Sequence, residues 1–177
     1  SDDGDDPMPA LALHLEQANR YGRDMLALDL TPQTILEKAL ASPQPLQTFL
    51  ATLDHVGGYK EDPLRKKSSL LALILNQRPE RFLPLRDEEQ IAPVIDYHAL
   101  RSSLRVGLID ILDEALEKKL LNRQWVTPEE EWAVRYATYR ARKQVVALSG
   151  KGEGAVDWFF FSSRKYCPEM SEPQCQH

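Results

Sequence analysis

Cysteine is nearly absent from this chain: 177 residues hold two, Cys167 and Cys175, both near the C-terminus. Two thiols form one disulfide at most, which excludes a multiply bridged secreted scaffold. Long apolar runs are missing too. Leu70–Leu75 and Ala155–Phe161, the second interrupted by Asp157, fall far short of the roughly 20 residues that cross a bilayer. Ser1–Pro7 is acidic rather than a basic and apolar leader, so a cytoplasmic protein without a membrane partner is expected. Strict polar–apolar alternation and internal repeats are lacking, which argues against a sheet and a solenoid. At 42% hydrophobic and 28% charged residues, a disordered chain is disfavoured as well.

Charge of one sign is also scarce. The formal net charge is −5, but Asp2, Asp3, Asp5 and Asp6 take four of the 27 acidic residues, which leaves 23 against 22 basic ones. Whole-chain charge therefore does not exclude a phosphate-bearing partner, because a local basic face suffices. The organisation expected is an acidic disordered tail over residues 1–7, one helical domain over 8–166 and a cysteine segment over 167–177. The densest basic stretch, Arg135, Arg140, Arg142 and Lys143, reads as a solvated helix face.

Helical periodicity runs through most of the chain. Leu11, Leu15 and Ala18 share a face, and Gly22 loosens the pattern. Thr31-Pro32 reads as an N-cap followed by proline at the first helical position. Leu46, Phe49, Leu50 and Leu53 mark a short helix before Gly57-Gly58, and Lys66–Asn76 is a strongly apolar one. Asp96 is placed to cap a helix through Leu104. Ile109, Leu112, Leu116 and Leu120 suggest another. Thr127-Pro128-Glu129-Glu130 has capping-box spacing for a helix to about Leu148. A last helix holds Val156, Phe159 and Phe160, with Trp158–Phe161 expected to pack in the core. The class expected is all-α, a two-lobed helical bundle.

Three segments carry candidate chemistry. His55-Val56-Gly57-Gly58-Tyr59-Lys60 joins a helix end to a glycine pair, and glycines let backbone N–H groups approach a phosphate closely; an ordinary glycine helix stop gives the same pattern. Lys66-Lys67 opens an apolar helix, where a partly desolvated lysine would present a nucleophilic amine. Two solvated surface lysines are the alternative. Pro93-Val94-Ile95-Asp96-Tyr97-His98-Ala99-Leu100-Arg101 delivers one carboxylate to a helix start, fit to stabilise a developing positive charge or to act as a plain cap.

Asp96-Tyr97-His98-Ala99-Leu100-Arg101 resembles the Asp-x-His-x-x-Arg segment of the helix–hairpin–helix DNA glycosylases of the endonuclease III superfamily. The order glycine hairpin, lysine, aspartate, cysteine loop is similar as well, from about Leu46 to the C-terminus. Lys67–Ile74 also resembles the lysine helix of the archaeal 8-oxoguanine glycosylase branch. The resemblance implies a DNA N-glycosylase, with or without AP-lyase activity, acting as a monomer on double-stranded DNA that holds a damaged base, an oxidised purine by the likeness to the archaeal branch. It implies Lys67 as nucleophile, with Lys66 its neighbouring alternative, Asp96 as the catalytic carboxylate, and His55, Val56, Gly57, Gly58, Tyr59 and Lys60 as the DNA-backbone contact. Cys167 and Cys175 are the implied metal ligands of a 4Fe-4S cluster. Four ligands are needed, so that cluster is incomplete or absent in this chain. The competing expectations are a non-catalytic helix–hairpin–helix DNA-binding protein and a helical interaction module.

Overall fold

A computed structural model describes residues 10–86, 90–163 and 165. Among them it has eight α-helices and no strand, so the all-α expectation holds. The chain divides into two compact units, Ser1–Glu89 and Gln90–His177. The first contains α1 (Leu11–Ala27), α2 (Pro32–Leu40), α3 (Pro45–Leu53) and α4 (Lys66–Gln77). The second contains α5 (Tyr97–Arg105), α6 (Glu114–Leu121), α7 (Pro128–Ser149) and α8 (Glu153–Ser163).

In the first unit α3 packs against both α2 and α4. Ile35, Ala39, Leu46, Phe49, Leu53 and Ala72 are buried, on the apolar stripes that the periodicity marks. The Thr31 hydroxyl accepts the Thr34 N–H at 3.1 Å, and the Thr34 hydroxyl accepts the Thr31 N–H at 2.9 Å. With Pro32 at the first position, these bonds start α2. The pattern over α1 misleads, however. The helix continues through Gly22, because one interior glycine costs only about 1 kcal/mol. Leu11 and Leu15 remain exposed, and Met25 is the buried residue of α1.

In the second unit α5 packs against α7 and α8, which also touch each other. Ile91, Pro93, Val94 and Ile95 are buried and lead into α5. Both capping-box bonds of α7 are made: the Glu130 N–H donates to the Thr127 hydroxyl at 3.2 Å, and the Thr127 N–H to Glu130 Oε2 at 2.7 Å. The helix carrying Leu116 and Leu120 starts later than the periodicity suggests. Asp113 Oδ1 accepts the Leu116 N–H at 2.8 Å and caps α6, so Ile109 and Leu112 precede it. The expected core role of Trp158–Phe161 also needs correction. Trp158 and Phe159 are each 67% exposed, whereas Phe160 is buried. Consecutive helical residues point about 100° apart, so the four rings diverge.

Candidate functional site

The glycine turn after α3 is packed against α1. A Cβ on Gly57 would lie 2.7 Å from Arg20 Cβ and 2.9 Å from the Arg20 carbonyl carbon. Glycine at 57 is thus required by close approach of another backbone, while Gly58 supplies a φ of 90° in the region that side chains avoid. The Gly57 N–H donates to Asp24 Oδ2 at 2.7 Å, and Lys60 Nζ donates to the same oxygen at 2.6 Å. The Gly58 N–H donates to Glu61 Oε2 at 2.8 Å. The N–H groups of His55 and Val56 reach the Thr52 and Leu53 carbonyls, and those of Tyr59 and Lys60 reach the Val56 carbonyl. Every backbone N–H from 55 to 60 therefore has an internal acceptor. A phosphate gripping this turn must displace a carboxylate.

Asp24 is well suited to hold that place. The hydrogen bond from Lys60, reinforced by the Gly57 N–H and the charges of Lys60 and Arg23, outweighs desolvation and keeps its carboxyl below the usual value. Asp24→Ala frees the Gly57 N–H and the Lys60 ammonium together. If the turn grips DNA, duplex affinity rises about fivefold, the worth of roughly one hydrogen bond, in a fluorescence-anisotropy titration. Unchanged affinity assigns the turn to structure alone.

Between α3 and α4, Arg65 forms a two-point pair with Asp54, Nε to Oδ1 at 3.0 Å and Nη2 to Oδ2. Asp62 accepts the Leu64 and Lys66 N–H groups at 3.1 and 3.0 Å, satisfying donors at the start of α4. Ser68, Ser69, Ala72 and Leu73 face inward. Lys67 lies on the opposite side, exposed, on one stripe with the exposed Leu70 and Ile74. Lys66 is the half-buried member of the pair. The expectation of a desolvated Lys67 is corrected by this helical phase: its ammonium heads an apolar surface stripe rather than entering the core.

Asp96, in the second unit, is the N-cap of α5. Its Oδ1 accepts the Ala99 N–H at 2.8 Å, and its Oδ2 has no hydrogen-bond partner among the described residues. Arg101 Nη2 lies 3.1 Å from His98 Nδ1. The His98 ring meets Phe161 of α8 edge-on, with centroids 6.4 Å apart.

Behind α5 lies a charge cluster whose partnership the sequence reading missed. Arg142, by sequence part of the solvated basic stretch, is fully buried. Its Nη2 stands 3.4 Å from Glu153 Oε1 and 3.3 Å from Asp157 Oδ1, and its guanidinium lies 4.6 Å from the Phe160 ring centroid. Burial pushes the Glu153 carboxyl up to about 7, against the opposing charge of Arg142 and a hydrogen bond from the Val94 N–H. Asp157 is raised too, by burial first, with the Asp96 charge contributing. The cluster thus links α7 and α8 to the segment that delivers Asp96. A signal existed: Arg142 continues the Val134–Thr138 stripe at a step of four, and Glu153 and Asp157 share a face of α8 with Phe160.

A recess of about 390 Å³ in the first unit is lined by Leu28, Leu30, Lys38, Thr48, Thr52 and His55, among others. Lys67 is not part of its lining. Among the described residues no three His, Cys, Asp or Glu side chains gather as metal ligands, and Cys167 and Cys175 lie outside the described residues. No described helix is long and apolar enough to cross a membrane. No family model, curated protein or solved structure matches the chain.

Proposed function

We propose that this chain is a DNA base-excision N-glycosylase, with Asp96 as its carboxylate and Lys67 as the amine nucleophile. The observation that carries the reading is Asp96 itself. A buried apolar segment brings it, half-buried, to a helix start, where Oδ1 accepts a backbone N–H and Oδ2 has no hydrogen-bond partner among the described residues. A carboxylate so oriented stabilises the oxocarbenium-like character that develops as a glycosidic bond breaks. The free-amine fraction of the exposed Lys67 adds through Nζ to the anomeric carbon as the bond to the base breaks, and the base leaves with the bonding electron pair. Nζ then loses its extra proton to solvent, and opening of the sugar ring, whose oxygen takes up a proton, completes the imine. The everted base requires an apolar surface outside the duplex stack, and the Leu70–Ile74 stripe beside Lys67 offers one. This chain alone does not supply four thiolates, so no step uses a cluster.

Borohydride trapping on duplexes containing 8-oxoguanine, uracil, an oxidised pyrimidine or an abasic site tests the reading. The expected result is a covalent adduct that Lys67→Ala abolishes and Lys66→Ala retains. Base release without an adduct assigns Asp96 to activating water instead. The internally satisfied glycine turn favours a second reading, a helical interaction module. Absence of both base release and adduct on every duplex selects it.

A further inference from the structure

α7 carries an aromatic stripe that the chemistry above does not use. Trp132, Tyr136, Tyr139 and Lys143 follow one another at steps of four, three and four residues, which aligns them along one side of the helix. That side is opposite the buried Val134, Thr138 and Arg142. Trp132 is 40% and Tyr136 45% exposed, so these rings face solvent. Their planes are nearly parallel, at 14° between Trp132 and Tyr136 and 12° between Tyr136 and Tyr139, with centroids 5.8 and 6.4 Å apart. Parallel rings at such separations are offset rather than face to face. They form a staircase whose Trp132 and Tyr136 steps are exposed and whose Tyr139 step is half-buried. Lys143 Nζ, 5.9 Å from the Tyr139 centroid, ends the staircase with a cation, and Arg140 is exposed beside it. From Trp132 to Ser149 there is no Asp or Glu.

This combination selects among ligands. A sugar chain wants carboxylates or amides beside each ring; here the carboxylates, Glu129 to Glu131, stand only before Trp132, and the Tyr139 end carries cations instead. An apolar protein face has no use for the cations. Flat rings joined by anions match both features, because every base presents a π-face and every linkage a negative charge. A duplex covers its base faces in its own stack, whereas an unpaired strand offers them. We infer that this side of α7 binds single-stranded nucleic acid, stacking successive bases on Trp132, Tyr136 and Tyr139 while Arg140 and Lys143 meet the phosphates. The inference stands on α7 alone and does not rest on the glycosylase reading.

The test uses the full chain and a fluorescent oligothymidylate of about 12 nucleotides. A second probe is the same backbone made entirely of abasic residues. Combining Trp132→Ala, Tyr136→Ala and Tyr139→Ala is expected to weaken oligothymidylate binding at least about tenfold, with little change for the abasic strand. Arg140→Gln with Lys143→Gln weakens both probes and flattens the salt dependence. Tyr136→Leu keeps apolar bulk without a ring face, and a several-fold loss confined to the base-bearing probe is expected should the triple variant fold poorly. Base release from the duplex panel stays unchanged in the aromatic variants, so the two readings fail separately. Three results overturn the inference: no oligothymidylate binding by the unmodified chain, equal losses on both probes, or a stripe whose substitution alters only self-association in sedimentation.

Discussion

Asp96→Asn is expected to lower single-turnover base release at least about a hundredfold, within the 10²–10⁴ range of a positioned acid–base group. The substitution separates chemistry from capping. Asparagine caps helices about as well as aspartate, and its side-chain oxygen can still accept the Ala99 N–H that Asp96 holds at 2.8 Å. The melting temperature therefore stays close to that of the unmodified chain while the negative charge disappears. Asp96→Ala would confuse the two, since loss of the cap alone costs about 1 kcal/mol. A second readout is independent of activity. The Asp96 charge helps hold the Asp157 carboxyl above its ordinary value, so Asp157 titrates lower in Asp96→Asn, measurable by carboxyl carbon NMR. Undiminished base release in a folded Asp96→Asn protein removes Asp96 from the reaction.

Arg142→Met is expected to destabilise the second unit by about 3–5 kcal/mol at neutral pH, the usual cost of leaving a buried charge without its partner. Methionine preserves much of the apolar stem against Phe160, so the loss reports the charge. Glu153 and Asp157 are left facing each other, with Asp96 adding a third negative charge. The sign of the pH dependence follows from Glu153, whose folded value near 7 stands above its ordinary 4.5. Stability from its neutral form is complete below about 4.5 and is lost as pH rises through about 7. Removing Arg142 pushes that folded value further up, so the deficit of Arg142→Met shrinks as pH falls toward 4.5. Adding Glu153→Gln and Asp157→Asn to Arg142→Met recovers most of the stability, since neutral neighbours need no cation. Denaturant titrations of the full chain at several pH values check all three outcomes. A neutral-pH loss below about 1 kcal/mol would remove the cluster's structural role.

Much of the local structure was legible because its causes lie within a few residues. Thr31 with Thr34, Asp96 with Ala99 and Thr127 with Glu130 each satisfy helix-start N–H groups across three positions, so sequence spacing states the bond directly. Asp113 does the same for Leu116, although the apolar periodicity before it pointed to an earlier start. Lys67 shows the limit of composition: an apolar helix near a lysine does not reveal whether that lysine shares the covered or the open side. Counting phase from Ser68, Ser69, Ala72 and Leu73 answers it, but only once those four are known to face inward.

The chain by itself determined that it is helical, where most of its helices stop, and that one carboxylate opens α5, because prolines, caps and 3.6-residue spacing act over single turns. Folding in three dimensions decided the rest. Asp24 meets the Gly57 N–H across 33 positions, and Arg142 reaches Asp157 across 15; no local pattern encodes such pairings. Whether a glycine turn is open to a phosphate, and whether an arginine is solvated or buried, depends on which distant groups packing brings beside it.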